Sequence, residues 1–406
     1  MSVVLKGNLL VGQSGGPTAV INASLAGVIE EAKKHGEIAD IYGTVNGVEG
    51  LLSERMVDLR AESDDTIALL PRTPAAALRS CRKKLSAADF ERLLAIFRAH
   101  DIRYFIYIGG NDSADTSHRV GRLAKEAGWE MRAMGVPKTV DNDLGYTDHC
   151  PGYGSVARFS ALATRDVGLD TMAMHTVDMV KIVETMGRNA GWITASTALA
   201  RELPGDPPHL IYLPERPFDP DRFAADVKKQ VDTGRGCVVA VCEGLRDAEG
   251  NVMVAFKHAV GTDSFGHKQL GGVGDYLVDL IAERLGIKAR FDKAGTIQRS
   301  FGLAQSDVDV EEARMVGAAA VAHACAGVTD HMVTLKRVRQ SPYKCETDLA
   351  PLEAVANSER PVPDEFINAD GSDVTPAFIE YARPLIGGPL PRYARLEMKP
   401  VPKKLG

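Results

Sequence analysis

The sequence predicts an α/β protein of two α/β/α domains with mainly parallel sheets. Two observations lead there: short apolar runs alternate with stretches of helical period, and most of the runs end in glycine-rich or acidic turns. Strands that alternate with helices build parallel sheets covered on both faces, and ligands then collect at the carboxyl ends of the strands. The apolar runs fall at residues 8–11, 104–108, 131–136, 179–183 and 238–241, and the helix-period stretches at 18–34, 87–100, 113–127 and 154–167. The break at 147–152, which contains Pro151 and Gly152, is the expected domain junction. The proline-dense stretch 205–220 reads as a surface excursion, and the tail from 361 onward is polar and punctuated by proline. The layout is Rossmann-like, with the active site expected in the cleft between the two domains.

Composition bounds the function. A chain of 406 residues, 45% hydrophobic and 25% charged, has room for two globular domains. A net charge of −6 argues against nucleic acid or an acidic membrane as the partner, so an anionic substrate needs local cations. The six cysteines are scattered without a C-x-x-C pair, which points to reduced thiols rather than zinc or disulfides. No signal peptide or membrane span is expected, and the predicted location is cytoplasmic.

The turns carry the chemistry. Lys138-Thr139-Val140-Asp141-Asn142-Asp143, after the apolar run 131–136, places two carboxylates around one amide with a cation upstream. Such a pair holds a divalent metal or takes a proton from a hydroxyl, although an Asp-Asn-Asp triplet alone equally describes a solvated turn. Gly12-Gln13-Ser14-Gly15-Gly16-Pro17 and Gly109-Gly110-Asn111-Asp112-Ser113 each run from strand into helix. Paired glycines there either admit an anion to the backbone N–H groups or serve only the steric needs of a tight turn. There is no G-x-x-x-x-G-K-[ST] loop and no G-x-G-x-x-G fingerprint. Further along, Met186-Gly187-Arg188, Cys242-Glu243-Gly244 and Thr296-Ile297-Gln298-Arg299, with Arg290 upstream and the cationic 79–84 stretch containing Arg82, add guanidinium groups and an acid. Arginine donates two parallel hydrogen bonds to phosphate, and a glutamate among arginines suits a sugar hydroxyl. The composite is a phosphorylated polyol facing a second phosphate compound.

In this order, Ser14-Gly15-Gly16, Gly109 to Ser113, Pro137 to Asp143, Met186-Gly187-Arg188, Cys242-Glu243-Gly244 and Ile297-Gln298-Arg299 resemble the motifs of phosphofructokinases over the first three quarters of the chain. The resemblance implies phosphoryl transfer to the 1-hydroxyl of fructose 6-phosphate with Mg²⁺. Asp141 would be the base, with Asp112, Lys138 and Arg188 as the other catalytic groups. Gly15, Gly16, Arg82, Gly110 and Ser113 would bind the donor; Asn111 and Asp112 would hold the metal. Thr139, Val140, Asp141, Asp143, Met186, Gly187, Arg188, Glu243, Arg290, Thr296 and Arg299 would bind the sugar phosphate. The implied division is a pyrophosphate domain at 1–147, a sugar-phosphate domain at 148–320 and a helical or irregular extension at 321–406 packing across both.

Donor choice rests on two positions. ATP-using relatives typically have glycine where this chain has Asp112 and Lys138, so the resemblance is to the pyrophosphate-dependent branch. An ATP-dependent kinase of the same fold, with sedoheptulose 7-phosphate as a second substrate, and a catalytically weak sugar-phosphate-binding relative are the alternatives. Three departures stand out: Asn111 replaces a metal-placing aspartate, Thr296 replaces a histidine or tyrosine, and Met179 replaces an arginine supplied by a neighbouring subunit. Lys181, on the same strand face as Met179, is the expected substitute cation. A homodimer or homotetramer is expected.

Overall fold

The computed structural model describes residues 5–253 and 272–404. Among these residues, eleven strands form two sheets. In chain order, β1 (Gly7–Gln13), β2 (Ile38–Thr44), β3 (Met56–Asp58), β4 (Ile102–Gly109) and β5 (Arg132–Pro137) begin the first sheet. Strands β6 (Val180–Thr185), β7 (Leu210–Tyr212), β8 (Cys237–Cys242) and β9 (Ala289–Lys293) form the second, and β10 (His331–Arg339) and β11 (Lys344–Pro351) return to the first. The first sheet runs β11-β10-β5-β4-β1-β2-β3, parallel from β10 to β2 with antiparallel edges. The second, β7-β8-β6-β9, is parallel throughout.

Strand β4 shows why the apolar runs are continuous rather than alternating. Tyr104, Ile106 and Ile108 point to one face, where they meet helices Ile21–Ala32 and Asp307–Cys325. Phe105 and Tyr107 point to the other, against helices Ala87–Ala99 and Asn111–Glu126. Helix Ala87–Ala99 begins at a capping box in which Ser86 and Asp89 satisfy each other's backbone N–H groups. Strands β5, β4 and β1 lie side by side, so the three glycine- or acid-bearing turns that follow them meet at one edge.

Helix Asp307–Cys325 packs on the first sheet, against helix Ile21–Ala32. Two glycines permit the approach: a Cβ on Gly27 would lie 2.1 Å from the Arg314 carbonyl oxygen, and one on Gly317 2.1 Å from that of Ser24. The stretch after 320, expected as a helical or irregular extension, contributes the end of this helix and then the hairpin β10–β11. Its alternation is hidden in sequence because Lys336, Arg339, Glu346 and Asp348 dominate the exposed positions, while Val333 and Leu335 are buried. The 205–220 stretch differs from expectation too. It carries edge strand β7 and buries Ile211, Leu213 and Phe218, so its prolines bound a strand instead of marking a surface loop. Among the described residues no helix is long and apolar enough to cross a membrane.

A buried ionic cluster joins the segment after β5, helix Asp307–Cys325 and the hairpin β10–β11. His149 faces Asp148 through Nδ1 (2.8 Å) and Glu312 through Nε2 (2.6 Å); Arg337 donates to Asp148 and Tyr343 to Glu312. Burial alone would push His149 down, but the two carboxylates outweigh it and raise its pKa to about 9. Because the folded value lies above the ordinary 6.5, this stabilisation is complete below about pH 6.5 and is lost as the pH rises through about 9. Denaturant titrations across that window should show wild-type stability falling, and the His149→Gln variant should lack that component of the slope. Equal slopes in the two proteins would refute the linkage.

Candidate active site

Three turns of the first domain form one wall of a cleft holding about 400 Å³ of solvent space. After β1, Ser14 N–H bonds to Ile108 O, Gly15 N–H to Cys81 O, and Ser80 Oγ donates to Gly15 O at 2.6 Å. Gly15 has φ +77°, which favours glycine, and a Cβ there would stand 3.0 Å from Lys138 Nζ. After β4, Gly110 precedes the first turn of helix Asn111–Glu126, whose N–H groups and dipole favour an anion. Gly109 has no room for a side chain, because a Cβ would fall 1.9 Å from Ser113 Oγ. After β5, Lys138 N–H bonds to Gly109 O, and Lys138 Nζ reaches back to donate to Gly16 O at 2.8 Å. The buried ammonium therefore lies across the glycine turn.

The acidic turn is held from the far side of the sequence. Asn142 adopts a left-handed conformation (φ 55°), which asparagine tolerates better than most residues. Its Oδ1 accepts from Cys150 N–H, its Nδ2 donates to Tyr381 Oη, and its carbonyl accepts from the Arg360 guanidinium at 3.1 Å. Arg360 N–H bonds to Asp143 O at 2.7 Å, and its guanidinium also reaches the carbonyls of Thr147 and Asp148. This clamp fixes the backbone on both sides of Asn142, so Asp141 and Asp143 project into the cleft together.

The opposite wall comes from the second domain. Gly187, at φ 137°, follows β6, with Met186 N–H bonded to Gln298 Oε1 at 3.1 Å. Arg188 Nε lies 3.9 Å from Glu243 Oε1, and Lys293 Nζ lies 3.8 Å from Glu243 Oε2. Arg299 closes the short helix Gly295–Arg299 and leans over the glycine turn, with Nη1 3.0 Å from where a Gly16 Cβ would stand.

Burial sets the electrostatics. It lowers Lys138 to about 8, against the pull of Asp141, while Arg299 and Arg82 add to the lowering. Burial raises Asp141 despite Lys138, Arg188, Arg299 and Arg82 around it, and raises Asp143, which also feels Asp141 and Glu359. Glu243 is raised by burial as well, with Lys293 and Arg188 opposing. The cleft thus holds three carboxylates of unusual basicity among cations. Asn111 Oδ1 is buried and accepts no hydrogen bond among the described residues. An orphaned carbonyl oxygen of this kind, next to Asp112 in the first helical turn, fits a hard divalent cation carried on phosphate oxygens.

Of the residues singled out in sequence, Gly15, Gly16, Arg82, Gly110, Asn111, Asp112, Ser113, Lys138, Thr139, Val140, Asp141, Asp143, Met186, Gly187, Arg188, Glu243 and Arg299 line this cleft. Arg290 and Thr296 do not. Arg290 projects from β9 and is ion-paired with Asp178 at 2.8 Å, and Thr296 is exposed. Lys181 is likewise outside, paired with Asp292 at 2.8 Å. Ser14, Asn189, Ala190 and Glu359 also line the cleft. The first three adjoin motifs visible in sequence. Glu359 has no such signal: it arrives through an isolated antiparallel bridge to Leu144 and accepts from Asn189 Nδ2 at 2.8 Å.

Residues 8–324 match the family "Phosphofructokinase". The chain is 44% identical to a pyrophosphate--fructose 6-phosphate 1-phosphotransferase of Xanthomonas campestris pv. campestris, covering 98% of each chain. It is 43% identical to the protein of the same name from Rhodospirillum rubrum, over 99% of this chain and 100% of the relative. Among solved structures, a pyrophosphate-dependent phosphofructokinase from Nitrosospira multiformis superposes with a TM-score of 0.87 at 41% identity, covering 98% of this chain and 99% of that one.

Removing the clamp should loosen the acidic turn selectively. Hydrogen bonds from a charged group are worth about 1.5–3 kcal/mol each. Arg360→Ala should therefore raise amide exchange across residues 139–144 by at least about tenfold, while helix Ile21–Ala32 keeps its protection. Uniformly faster exchange, or none, would show that Arg360 does not hold the turn.

Proposed function

The chain belongs to the phosphofructokinase family, and from that premise we propose a specific activity and a role for each group in the cleft. The protein transfers a phosphoryl group reversibly from pyrophosphate to the 1-hydroxyl of fructose 6-phosphate, giving fructose 1,6-bisphosphate and phosphate. This is a step of glycolysis that runs in either direction.

The observation that carries the donor assignment is the position of Lys138. Its ammonium, buried and bonded to Gly16 O, occupies the space above the glycine turn, with Asp112 at the adjacent helix start. Two phosphates fit beside a cation there; a nucleotide, which continues past them, meets the bulk of Lys138 and the negative charge of Asp112. Pyrophosphate is the compact donor that this wall admits.

The chemistry follows from the charges. Asp141, whose basicity burial has raised, takes the proton of the sugar 1-hydroxyl as its oxygen attacks phosphorus. The bridging P–O bond breaks and phosphate leaves with the electron pair, its charge met by Lys138 and Arg82. Asp143 and Thr139 orient the sugar, with Thr139 Oγ1 already accepting Asp141 N–H at 3.1 Å. Met186, Gly187, Arg188 and Glu243 line the sugar, and Arg299 binds its 6-phosphate. Asn111 and Asp112 would hold Mg²⁺, which when bound neutralises phosphate oxygens. Arg290, on edge strand β9 of the second sheet, and Lys181, on the adjoining β6, serve the 6-phosphate of a neighbouring copy in a homodimer or homotetramer. The setting is cytoplasmic, in keeping with free cysteines at Cys81, Cys150, Cys237, Cys242, Cys325 and Cys345.

Coupled turnover of fructose 6-phosphate with Mg²⁺ should proceed with pyrophosphate and not with ATP, and Asp141→Ala should lower kcat about 10²–10⁴-fold. Turnover with ATP alone would remove the donor argument while leaving the family, and an unimpaired Asp141→Ala would remove the base. The pH profile should be bell-shaped. Its acid limb falls as Asp141 protonates at its raised pKa, and its alkaline limb falls as Lys138 loses its proton near 8. A residual pyrophosphate activity in Lys138→Met should lack the alkaline limb; an unchanged limb would assign it to another group.

A further inference from the structure

At the amino end of the first sheet, opposite the cleft, three chemically different metal-binding side chains meet. Glu37 immediately precedes β2, His35 follows the end of helix Ile21–Ala32, and Cys325 is the last residue of helix Asp307–Cys325. One ligand atom from each lies within 4.8 Å of the other two. His35 Nδ1 stands 3.2 Å from Glu37 Oε1, and the Cys325 thiol lies beside the same carboxylate. The other ring nitrogen, Nε2, is 3.2 Å from Glu31 Oε1, whose second oxygen receives Lys34 Nζ at 2.7 Å. The side chains of His35 and Glu37 are 24% and 20% exposed, open enough to load from solvent and enclosed enough to keep their geometry.

We propose that His35, Glu37 and Cys325 form a site for a borderline-soft divalent cation, Zn²⁺ or its thiophilic analogue Cd²⁺, with Glu31 orienting the imidazole. The donor set selects the metal. Thiolate and imidazole together suit zinc, whereas magnesium takes oxygen donors such as those of the cleft. Glu31 plays the part of the carboxylate that receives the second ring N–H of a metal-bound histidine and leaves Nδ1 free to ligate. Two helices end here, and their negative dipole ends favour a cation. As Sγ joins the metal, the thiol proton leaves to solvent; three protein ligands and one water complete a tetrahedral shell. The bound ion ties the segment after the first helix to the end of its packing partner, so it stabilises the helix pair that the Gly27 and Gly317 contacts bring together.

The test uses the full-length protein freed of metal by a chelator and then titrated with Cd²⁺. The expected result is an ultraviolet thiolate-to-cadmium band that saturates at one equivalent, persists in Cys345→Ser and disappears in Cys325→Ser. Glu31→Gln should weaken binding about 10–100-fold, His35→Gln should weaken it further, and Zn²⁺ should raise the melting temperature of the wild type but not of Cys325→Ser. Turnover measured without added zinc should be the same in Cys325→Ser and wild type, which also reports that the variant is folded. Absence of the band in wild type, or its survival in both Cys325→Ser and His35→Gln, would overturn the site.

Discussion

The cleft depends on the backbone at Asn142. Asp141 and Asp143 face the cleft from one turn, and Asn142 between them adopts a left-handed conformation that costs about 1–2 kcal/mol for an L-residue. That cost is offset by hydrogen bonds donated by Cys150 N–H and the Arg360 guanidinium and by the one that Asn142 Nδ2 donates to Tyr381 Oη. Cys150 lies just before helix Tyr153–Ala173, and Arg360 and Tyr381 belong to the C-terminal segment. The reactive turn is therefore a product of the whole chain, and its geometry is set by residues that never touch substrate.

The same region explains how so many charges remain together below the surface. Lys138, Arg82, Arg188 and Arg299 surround Asp141, and each sign lowers the cost of burying the other. Behind that shell, His149 with Asp148 and Glu312 forms a second balanced cluster, and Arg337 and Tyr343 extend it into the hairpin β10–β11. Removing His149 would leave Asp148 and Glu312 without their shared cation, and removing Asp141 would leave the cations around it less compensated. The arrangement fixes positions at the expense of tolerance, which suits a reaction whose protein contribution is mostly placement.

What could be read in sequence follows from how local each signal is. Strands β1, β4, β5, β6 and β8 are covered on both faces and read as continuous apolar runs. The edge strands β3, β7 and β11, and β2 with its Asp40 and Gly43, are short or interrupted and do not. The cleft was legible where turn and motif coincide, from Gly15 and Gly16 to Arg299. Glu359 and the Arg360 clamp were not, because their partners lie in another part of the chain and no spacing rule connects them. Arg290 shows the opposite failure: its motif placed it in the site, but on β9 it shares a face with Asp292 and turns toward Asp178, away from this chain's cleft.

Donor selection illustrates how such a site discriminates. A pyrophosphate pocket gains little by adding contacts, since a nucleotide offers the same two phosphates and more. Discrimination must come from what the larger donor cannot tolerate. In the role proposed for it, Lys138 would do this with one side chain in two ways: its ammonium would attract the smaller donor's charge, and its stem, pinned by the bond to Gly16 O, would fill the room that the larger donor needs. Pinning matters as much as charge, because a lysine free to swing aside would keep the attraction and surrender the exclusion. In that role the hydrogen bond that ties Lys138 to the glycine turn would itself determine specificity.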